Sequence, residues 1–177
     1  EMGQGLHTKV AQIVASELQV DMGNIQVTAT RTDKVPNTSP TAASASTDLN
    51  GKAAQNAAKT IKARLIEFLA AHYEVRESDV VFDNNEVIVG DQRMAFAEVA
   101  QLAYVNRVSL SATGYYKTPK IHYDRDNASG RPFFYYAMGA AVSEVLIDTL
   151  TGEYRVLRVD VLHDVGDSIN PEIDKGQ

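Results

Sequence analysis

The stretch SPTAASASTDLNGKAAQNAAKTIKARLIEFLAA, residues 39–71, decides the fold because it predicts one long helix from about residue 40 to 71. Ser39 is a favoured N-cap, and Pro40 is a favoured first helical residue. Apolar side chains then recur at helical spacing and predict one buried face, formed by Ala54, Ala57, Ala58, Ile61, Leu65, Phe68 and Leu69. Only small residues fill 42–47, which allows a ligand or another backbone to approach closely, and Gly51 is a possible kink or packing point.

The flanking segments predict a mixture of shorter helices and strands. Residues 6–18 carry an apolar face at helical spacing, and residues 96–106 form a second short helix. Alternation predicts strands at 25–30 and 108–116, a hairpin over 79–94, and two long strands over 133–147 and 154–162. Residues 119–131 are predicted as a loop, and residues 172–177 as the opening of another helix.

The predicted fold class is therefore α+β, with helices packed on a mostly antiparallel sheet. We predict one unit over residues 1–177, with a possible division into subdomains at about 1–106 and 107–177. The chain begins without methionine inside a glycine-rich motif and ends in mid-element, so we expect it to be a piece of a longer polypeptide.

Composition narrows the possible partners. The net charge of −6 and the scattered lysines and arginines argue against nucleic acid, because phosphate binding needs a basic surface. The longest apolar runs are too short to span a bilayer, so no membrane partner is predicted. The sequence contains no cysteine, which excludes a disulfide or thiolate-held cluster within these residues and fits a reducing, cytoplasmic setting.

Few residues suggest catalysis. The four histidines lack metal-ligand spacing, and neither a nucleophile elbow nor a phosphate-binding glycine loop is present. Glu144 lies in an apolar strand, where a salt-bridged structural carboxylate is the favoured interpretation. The sequence therefore predicts no catalytic residue.

Two stretches carry a binding signal. Gly3, Gln4 and Gly5 precede a helix and offer backbone N–H groups, a positive helix end and one side-chain amide. Residues 39–46 form a second helix start with hydroxyls and no bulk, which suits an anion or a flat polar cofactor. Taken alone, this second stretch is better explained by a tight helix–helix contact through small residues.

Together these stretches resemble a known family. EMGQGLHTK (residues 1–9), VPNTSPTAAS (35–44) and SLSATGYYKTP (109–119) are closely similar to the molybdenum-binding part of the xanthine dehydrogenase family. The similarity continues through YAMGAA (136–141), LTG (150–152) and DVG (164–166), and it ends at Gly176 and Gln177. It covers nearly the whole chain in one collinear order and implies the fold of the molybdopterin-binding domain of the molybdenum hydroxylases.

The resemblance assigns cofactor contacts residue by residue. It implies that Gln4 hydrogen-bonds the pterin, with Met2 and Gly3 supplying loop backbone, and that Ala43 lies beside the molybdenum. Further pterin or phosphate contacts are implied for three more residues: Ser44, Ser46 and Gln177. An amide side chain can both donate to and accept from a pterin edge, which agrees with the role of Gln4.

The implied function is oxidation of hypoxanthine and xanthine to urate, within purine catabolism. The resemblance implies molybdopterin with molybdenum here, and 2Fe–2S clusters, FAD and NAD elsewhere in the parent enzyme. It implies a purine substrate, contacts with the rest of the same subunit and with an Fe–S/FAD subunit or domain, and a homodimer of the complete enzyme. The family's catalytic glutamate, in a Gly-Glu-Pro-Pro segment, is absent from residues 1–177, so we expect this piece alone to be inactive.

Two alternatives remain open at this point. An aldehyde oxidase-type molybdenum hydroxylase is the close rival, although Tyr116-Lys117-Thr118-Pro119 is more similar to the purine enzymes. A non-catalytic interaction domain of the same descent is the other alternative, because the absent glutamate is compatible with it.

Overall fold

A computed structural model of the chain describes residues 4–29, 31, 33, 41–42 and 45–177. It divides the chain into two compact units, one comprising Glu1–Lys117 with Lys175–Gln177 and the other Thr118–Asp174. This boundary lies further along the chain than the predicted one after residue 106. Every strand pairing among these described residues is antiparallel, and helices pack on one of the sheets, so the predicted α+β class is confirmed.

The first unit is organised by two helices, α1 (Leu6–Leu18) and α2 (Ser46–Tyr73). Helix α1 has the predicted bounds, whereas the prediction that α2 starts near residue 40 is wrong for the described residues 41, 42 and 45. The Thr41 hydroxyl bonds to the Ser46 hydroxyl instead, since short polar side chains compete with helical backbone bonding. The predicted cap at Ser39 and Pro40 lies outside the described residues.

The core of the first unit forms around the C-terminal half of α2. Strands β1 (Val80–Asp83), β2 (Glu86–Val89) and β3 (Gln92–Ala95) form a meander, and α3 (Phe96–Val105) follows directly. The turns fall where predicted, because Asn84, Asn85 and Gly90 adopt the positive φ that these residue types tolerate. The largest fully buried side chains are Leu65, Leu69, Val87 and Val99.

Two predicted strands are not formed. Residues 25–29 pair with no other strand of the described chain, and residues 108–116 run extended without joining a sheet. The predicted alternation in the second segment is nevertheless present, because every other residue from 108 to 116 is half-buried. It reflects packing of an extended segment against a helix rather than against a neighbouring strand.

Side chains of α2 hold this extended segment. Arg64 Nη1 donates to the carbonyl oxygens of Ser109 (3.2 Å) and Ser111 (2.8 Å). Asn56 Nδ2 donates to the Tyr115 carbonyl oxygen at 2.8 Å, so the segment runs antiparallel to α2. Gly114 lies so close that a Cβ there would overlap the Ala53 carbonyl and approach the Ala57 nitrogen to 2.8 Å. Only glycine permits this approach.

The second unit consists of two hairpins. Strands β4 (His122–Asp124) and β5 (Ser129–Arg131) pair within the segment predicted as a loop, so that prediction is wrong. The Asn127 side-chain amide and the backbone N–H groups of Asn127 and Asp126 donate to Asp124, and they hold the pKa of its carboxyl below the ordinary value. The connecting turn is stabilised by these bonds.

The longer hairpin comprises β6 (Met138–Ile147) and β7 (Tyr154–Asp164), with a register shift between Glu144 and Val145. Strand β6 starts later than predicted, and β7 continues past residue 162. Gly152 adopts φ 76° in the turn, as its place in the sequence predicts. Helix α4 (Pro171–Gly176) follows near the end of the chain, close to the predicted position.

No residue from 118 to 174, all of which the structure describes, is buried. The core residues of the chain lie instead in α1, α2, α3, β1 and β2. None of the described helices is sufficiently long and apolar to cross a membrane.

We predict that Gly114→Ala destabilises the first unit by about 1–3 kcal/mol, because the new methyl group meets helix backbone that cannot move aside. The free energy of unfolding from urea titrations measures this change. Gly23→Ala is the matched control, since a Cβ there has no atom within 4 Å and its effect should stay within about 0.5 kcal/mol. Equal stability of the two variants would contradict the close approach at Gly114.

Candidate functional site

Helices α1 and α2 pack side by side and run in the same direction. A Cβ at Gly51 would lie 2.7 Å from Ile13 Cδ1, so the two helices are in close contact there. One turn further along α1, Glu17 Oε2 accepts from Gln55 Nε2 at 3.1 Å, and the Glu17 carbonyl oxygen accepts from Lys62 Nζ at 2.8 Å. Contacts thus advance along both helices together, which establishes the parallel arrangement.

The parallel arrangement brings both helix N-termini to the same end of the pair. Leu6 begins α1 seven residues before Ile13, and Ser46 begins α2 five residues before Gly51. At 1.5 Å per residue the two starts are level along the axis to roughly 3 Å. The positive ends of both helix dipoles therefore face the same region, which favours an anionic or electron-rich group.

The N-cap residues leave these helix ends without side-chain caps. Gly5 and Ala45 occupy the two N-cap positions, and neither has a side-chain oxygen that could accept from the first turn. The first turn of α1 contains no acidic residue, whereas that of α2 contains Asp48. Backbone N–H groups at such a helix start can bind phosphate or a polar ring edge.

Gln4 occupies a strained backbone conformation immediately before α1. Its φ is 57°, and Gly5 follows with φ 60°, so two successive residues are left-handed. A non-glycine residue in this region costs about 1–2 kcal/mol, and such strain concentrates at ligand sites. The Gln4 side chain is half-buried, and its amide has no hydrogen-bond partner within the described part of the chain.

Ser46 lies at the first helical position of α2 and is only 6% exposed. Its hydroxyl bonds to the Thr41 hydroxyl, which ties the preceding segment to the helix start. A hydroxyl has one donor and two acceptor positions, so this bond leaves Ser46 capacity for a second partner. Thr41 lies within the predicted binding stretch 39–46, but the sequence assigned it no individual contact, and the bond to Ser46 now gives it one.

The remaining predicted contact residues are Met2, Gly3, Ala43, Ser44 and Gln177. Met2, Gly3, Ala43 and Ser44 lie outside the described residues, so their assignments stay predictions. Gln177 follows α4, is exposed, and belongs to the same compact unit as Gln4 and Ser46. The structure therefore brings Gln4 and Ser46 to one end of the helix pair.

Side chains that support the site region were not identified from the sequence. Ile13 meets Gly51, and Glu17 accepts from both Gln55 and Lys62, which fixes α1 against α2. The predicted packing point at Gly51 is confirmed by its contact with Ile13. The other contacts could not be predicted, because they depend on the direction in which the two helices pair.

Within the described residues, no group of three or more His, Cys, Asp or Glu side chains could hold a metal ion.

Comparison with known proteins assigns this arrangement to a class of cofactor-binding domains. The whole chain, residues 1–177, matches the molybdopterin cofactor-binding domain family. The chain belongs to that family. The predicted resemblance to the xanthine dehydrogenases is confirmed as well. The chain is 46% identical to xanthine dehydrogenase/oxidase of Mus musculus over 177 residues. It is 44% identical to xanthine dehydrogenase of Oryza sativa subsp. japonica over the same length.

These relatives are much longer than the chain. The match covers 100% of the chain but 12% of the mouse and rice proteins. A Cu,Mo-CO dehydrogenase structure superposes with a TM-score of 0.77 at 30% identity, covering 99% of this chain and 22% of that chain. Quinoline 2-oxidoreductase from Pseudomonas putida 86 gives a TM-score of 0.73 at 26% identity, with 99% and 22% coverage.

The described residues fit a molybdopterin. The paired helix starts have N–H groups that would suit a phosphate, and the half-buried Gln4 amide would offer both a donor and an acceptor to a pterin edge. The Ser46 hydroxyl lies at the start of α2 with capacity for another bond. No bulky side chain stands at either N-cap, because Gly5 and Ala45 occupy them.

The Gly51–Ile13 contact generates a prediction about the helix pair. Gly51→Ala should destabilise the unit, because overpacking costs about 1–3 kcal/mol and exceeds the gain of about 1 kcal/mol in helix propensity. In the Ile13→Val background the clashing Cδ1 is absent, so Gly51→Ala should become neutral or stabilising there. Urea unfolding of all four proteins gives the coupling free energy. The same cost in both backgrounds would show that Ile13 is not what limits position 51.

Proposed function

We propose that the chain is the molybdopterin-contacting part of the catalytic subunit of a xanthine dehydrogenase, which oxidises hypoxanthine and xanthine to urate. The observation that carries this proposal is identity of 41–46% to xanthine dehydrogenases of animals, plants and Dictyostelium discoideum along the entire chain. Residues 116–119, YKTP, also favour a purine enzyme over an aldehyde oxidase.

In the proposed enzyme the chain's own residues bind and orient the cofactor. Gln4 would hold a pterin edge through its amide, with Met2 and Gly3 forming the adjoining loop. Ser44, Ser46 and Gln177 would make further polar contacts, and the methyl group of Ala43 would leave room beside the metal. When bound, the molybdenum cofactor supplies the two-electron redox chemistry of carbon hydroxylation.

The remaining functions belong to the proposed longer protein. We propose that it carries the catalytic glutamate, the purine pocket, the 2Fe–2S clusters, FAD and the NAD site outside residues 1–177, and that it works as a homodimer in the cytoplasm. The four-electron conversion of hypoxanthine to urate then proceeds as two successive two-electron oxidations of ring carbons. We propose that these reactions belong to purine catabolism. Residues 1–177 supply cofactor contacts and no acid–base group to this reaction.

The first test is an assay of the full-length protein against hypoxanthine, xanthine and an aromatic aldehyde. We expect turnover of both purines with NAD⁺, and at least tenfold lower kcat/KM for the aldehyde, about 1.4 kcal/mol of transition-state discrimination. Preference for the aldehyde would support the aldehyde oxidase alternative. Molybdenum content without turnover of any of the three substrates would reject the proposed substrate class.

Gln4→Ala in the full-length protein should weaken cofactor retention, because each lost hydrogen bond is worth about 0.5–1.5 kcal/mol. Molybdenum per purified chain measures the loss. Gln4→Gly distinguishes loss of the amide from a change in the backbone, because glycine adopts the positive φ of this position without strain. If the amide holds the cofactor, this variant should lose as much molybdenum as Gln4→Ala. Gln101→Ala, at an exposed position of α3, is the matched control and should retain the wild-type content. Full retention in both Gln4 variants would contradict a role for the amide.

Ala43→Leu should abolish turnover by filling the space beside the metal, whereas Ala43→Gly should leave most of it. Steady-state kinetics with xanthine, measured on protein of known molybdenum content, distinguish steric block from cofactor loss. Normal turnover of the leucine variant would place residue 43 away from the reacting centre.

A further inference from the structure

The extended segment 108–116 follows one face of α2 toward the start of that helix. Near the far half of α2, Arg64 Nη1 donates to the Ser111 carbonyl oxygen at 2.8 Å. Further along the segment, Gly114 lies directly on the helix backbone, since a Cβ there would overlap the Ala53 carbonyl. Residues of the segment therefore approach the start of α2 as their numbers increase.

Ser46 projects from the face of α2 that this segment follows. Ala53 comes about two turns and Arg64 five turns after Ser46 at 3.6 residues per turn, so the three side chains share one face. Ser46 is only 6% exposed, although it occupies the first position of the helix. The face that the segment follows therefore ends at the candidate site.

Tyr116 carries the helix-facing side of the segment toward this site. Alternate residues of an extended chain point the same way, so Tyr116 faces α2 as Gly114 does. Exposure agrees with this direction, because Tyr116 is half-buried whereas the neighbouring Tyr115 is 77% exposed. Asn56 Nδ2 donates to the Tyr115 carbonyl oxygen at 2.8 Å, which fixes the peptide group between the two tyrosines.

The Tyr116 side chain is long enough to reach the helix start. From Gly114 to Tyr116 the segment advances about 6.6 Å at about 3.3 Å per residue, which equals about four residues of helix. Because Gly114 is level with the helix between Ala53 and Ala57, the Tyr116 backbone is level with the second turn of α2. A tyrosine side chain spans more than one helical turn and leans along an extended chain, so its hydroxyl can lie beside Ser46.

The Tyr116 hydroxyl is available to a ligand. Within the part of the chain that the structure describes, it has no hydrogen-bond partner, and it is not sealed from its surroundings. A tyrosine hydroxyl usually finds a partner when its ring is packed against protein. It can donate one hydrogen bond, and the positive ends of α1 and α2 favour an anionic acceptor in the same region.

We propose that Tyr116 is a further cofactor-contact residue, whose hydroxyl donates to a phosphate oxygen of the molybdopterin at the start of α2. This inference rests on the proposed function, which brings the cofactor to the paired helix starts. Asn56 and Gly114 are then positioning residues, because they set the height of Tyr116 along α2. A hydrogen bond to a charged phosphate oxygen is stronger than one between neutral groups.

The two adjacent tyrosines allow a matched test in the full-length protein. Tyr116→Phe and Tyr115→Phe each remove one hydroxyl and leave the ring in place. We expect Tyr116→Phe to release molybdenum about tenfold faster than the wild type in dilute guanidinium, because it loses a hydrogen bond to a charged group. Tyr115→Phe should release it at the wild-type rate. Molybdenum remaining on desalted protein is measured over time, and equal rates in the two variants would contradict the contact.

Hydroxyl-radical footprinting distinguishes a cofactor contact from a contact within the protein. The full-length protein is prepared with its cofactor, and also without it from cells that cannot make molybdopterin, and peptide mass spectrometry locates the oxidised tyrosines. Tyr116 should be oxidised at least about threefold more slowly in the loaded protein, because a bound cofactor covers the groups that it contacts. Tyr115 should be oxidised equally in both. Equal oxidation of Tyr116 in both proteins would overturn the proposal.

Melting of the cofactor-free protein is the remaining control. Cofactor-free Tyr116→Phe should have the Tm of the cofactor-free wild type, since the lost bond is to the cofactor. A lower Tm would instead assign the hydroxyl to a protein partner and overturn the proposal. The substrate assay fails separately, because a protein that does not oxidise xanthine can still protect Tyr116 when loaded, and an active enzyme can leave Tyr116 equally reactive in both states.

Discussion

The parallel contact of α1 with α2 is the constraint on which the rest of the first unit depends. Gly51 lacks a side chain, so Ile13 reaches the α2 backbone, and Glu17 then accepts from Gln55 and Lys62 further along. An antiparallel pair would have placed the two N-termini at opposite ends, where they could not act on one ligand. The direction of pairing therefore converts two ordinary helix starts into one electropositive region.

Local sequence signals were sufficient for much of the fold. Residues 6–18 and the two turns at Asn84-Asn85 and Gly90 follow from periodicity and from residues that tolerate positive φ. The start of α2 did not follow, because the Thr41–Ser46 bond competes with the helix and no composition rule reports it. Residues 108–116 have the alternation of a strand, but their partner is a helix, and alternation alone cannot distinguish the two.

The candidate site shows the same division between local and tertiary information. The glycine-bracketed loop and the small-residue stretch were visible in the sequence, and the family resemblance gave roles to Gln4 and Ser46. The supporting contacts of Ile13, Glu17 and Arg64 were not visible, because each depends on which residue comes near it in space. The bond of Thr41 to Ser46 was not predictable for the same reason, although both residues lie in the small-residue stretch.

The length of α2 separates the hydrophobic core of the first unit from the helix starts of the candidate site. The helix has 28 residues, so about 42 Å of rigid rod lie between Ser46 and Tyr73 at 1.5 Å per residue. The hydrophobic core with β1–β3 forms around the far half of this rod, whereas the helix starts that would hold a cofactor are at the near end. The β1–β2 turn is tied to the opposite end of α1, because Asn85 N–H donates to the Gln19 carbonyl oxygen at 2.7 Å and Asn85 Oδ1 accepts from Asp21 N–H at 2.6 Å. A change in that turn therefore acts first on the end of α1 that lies away from the helix starts.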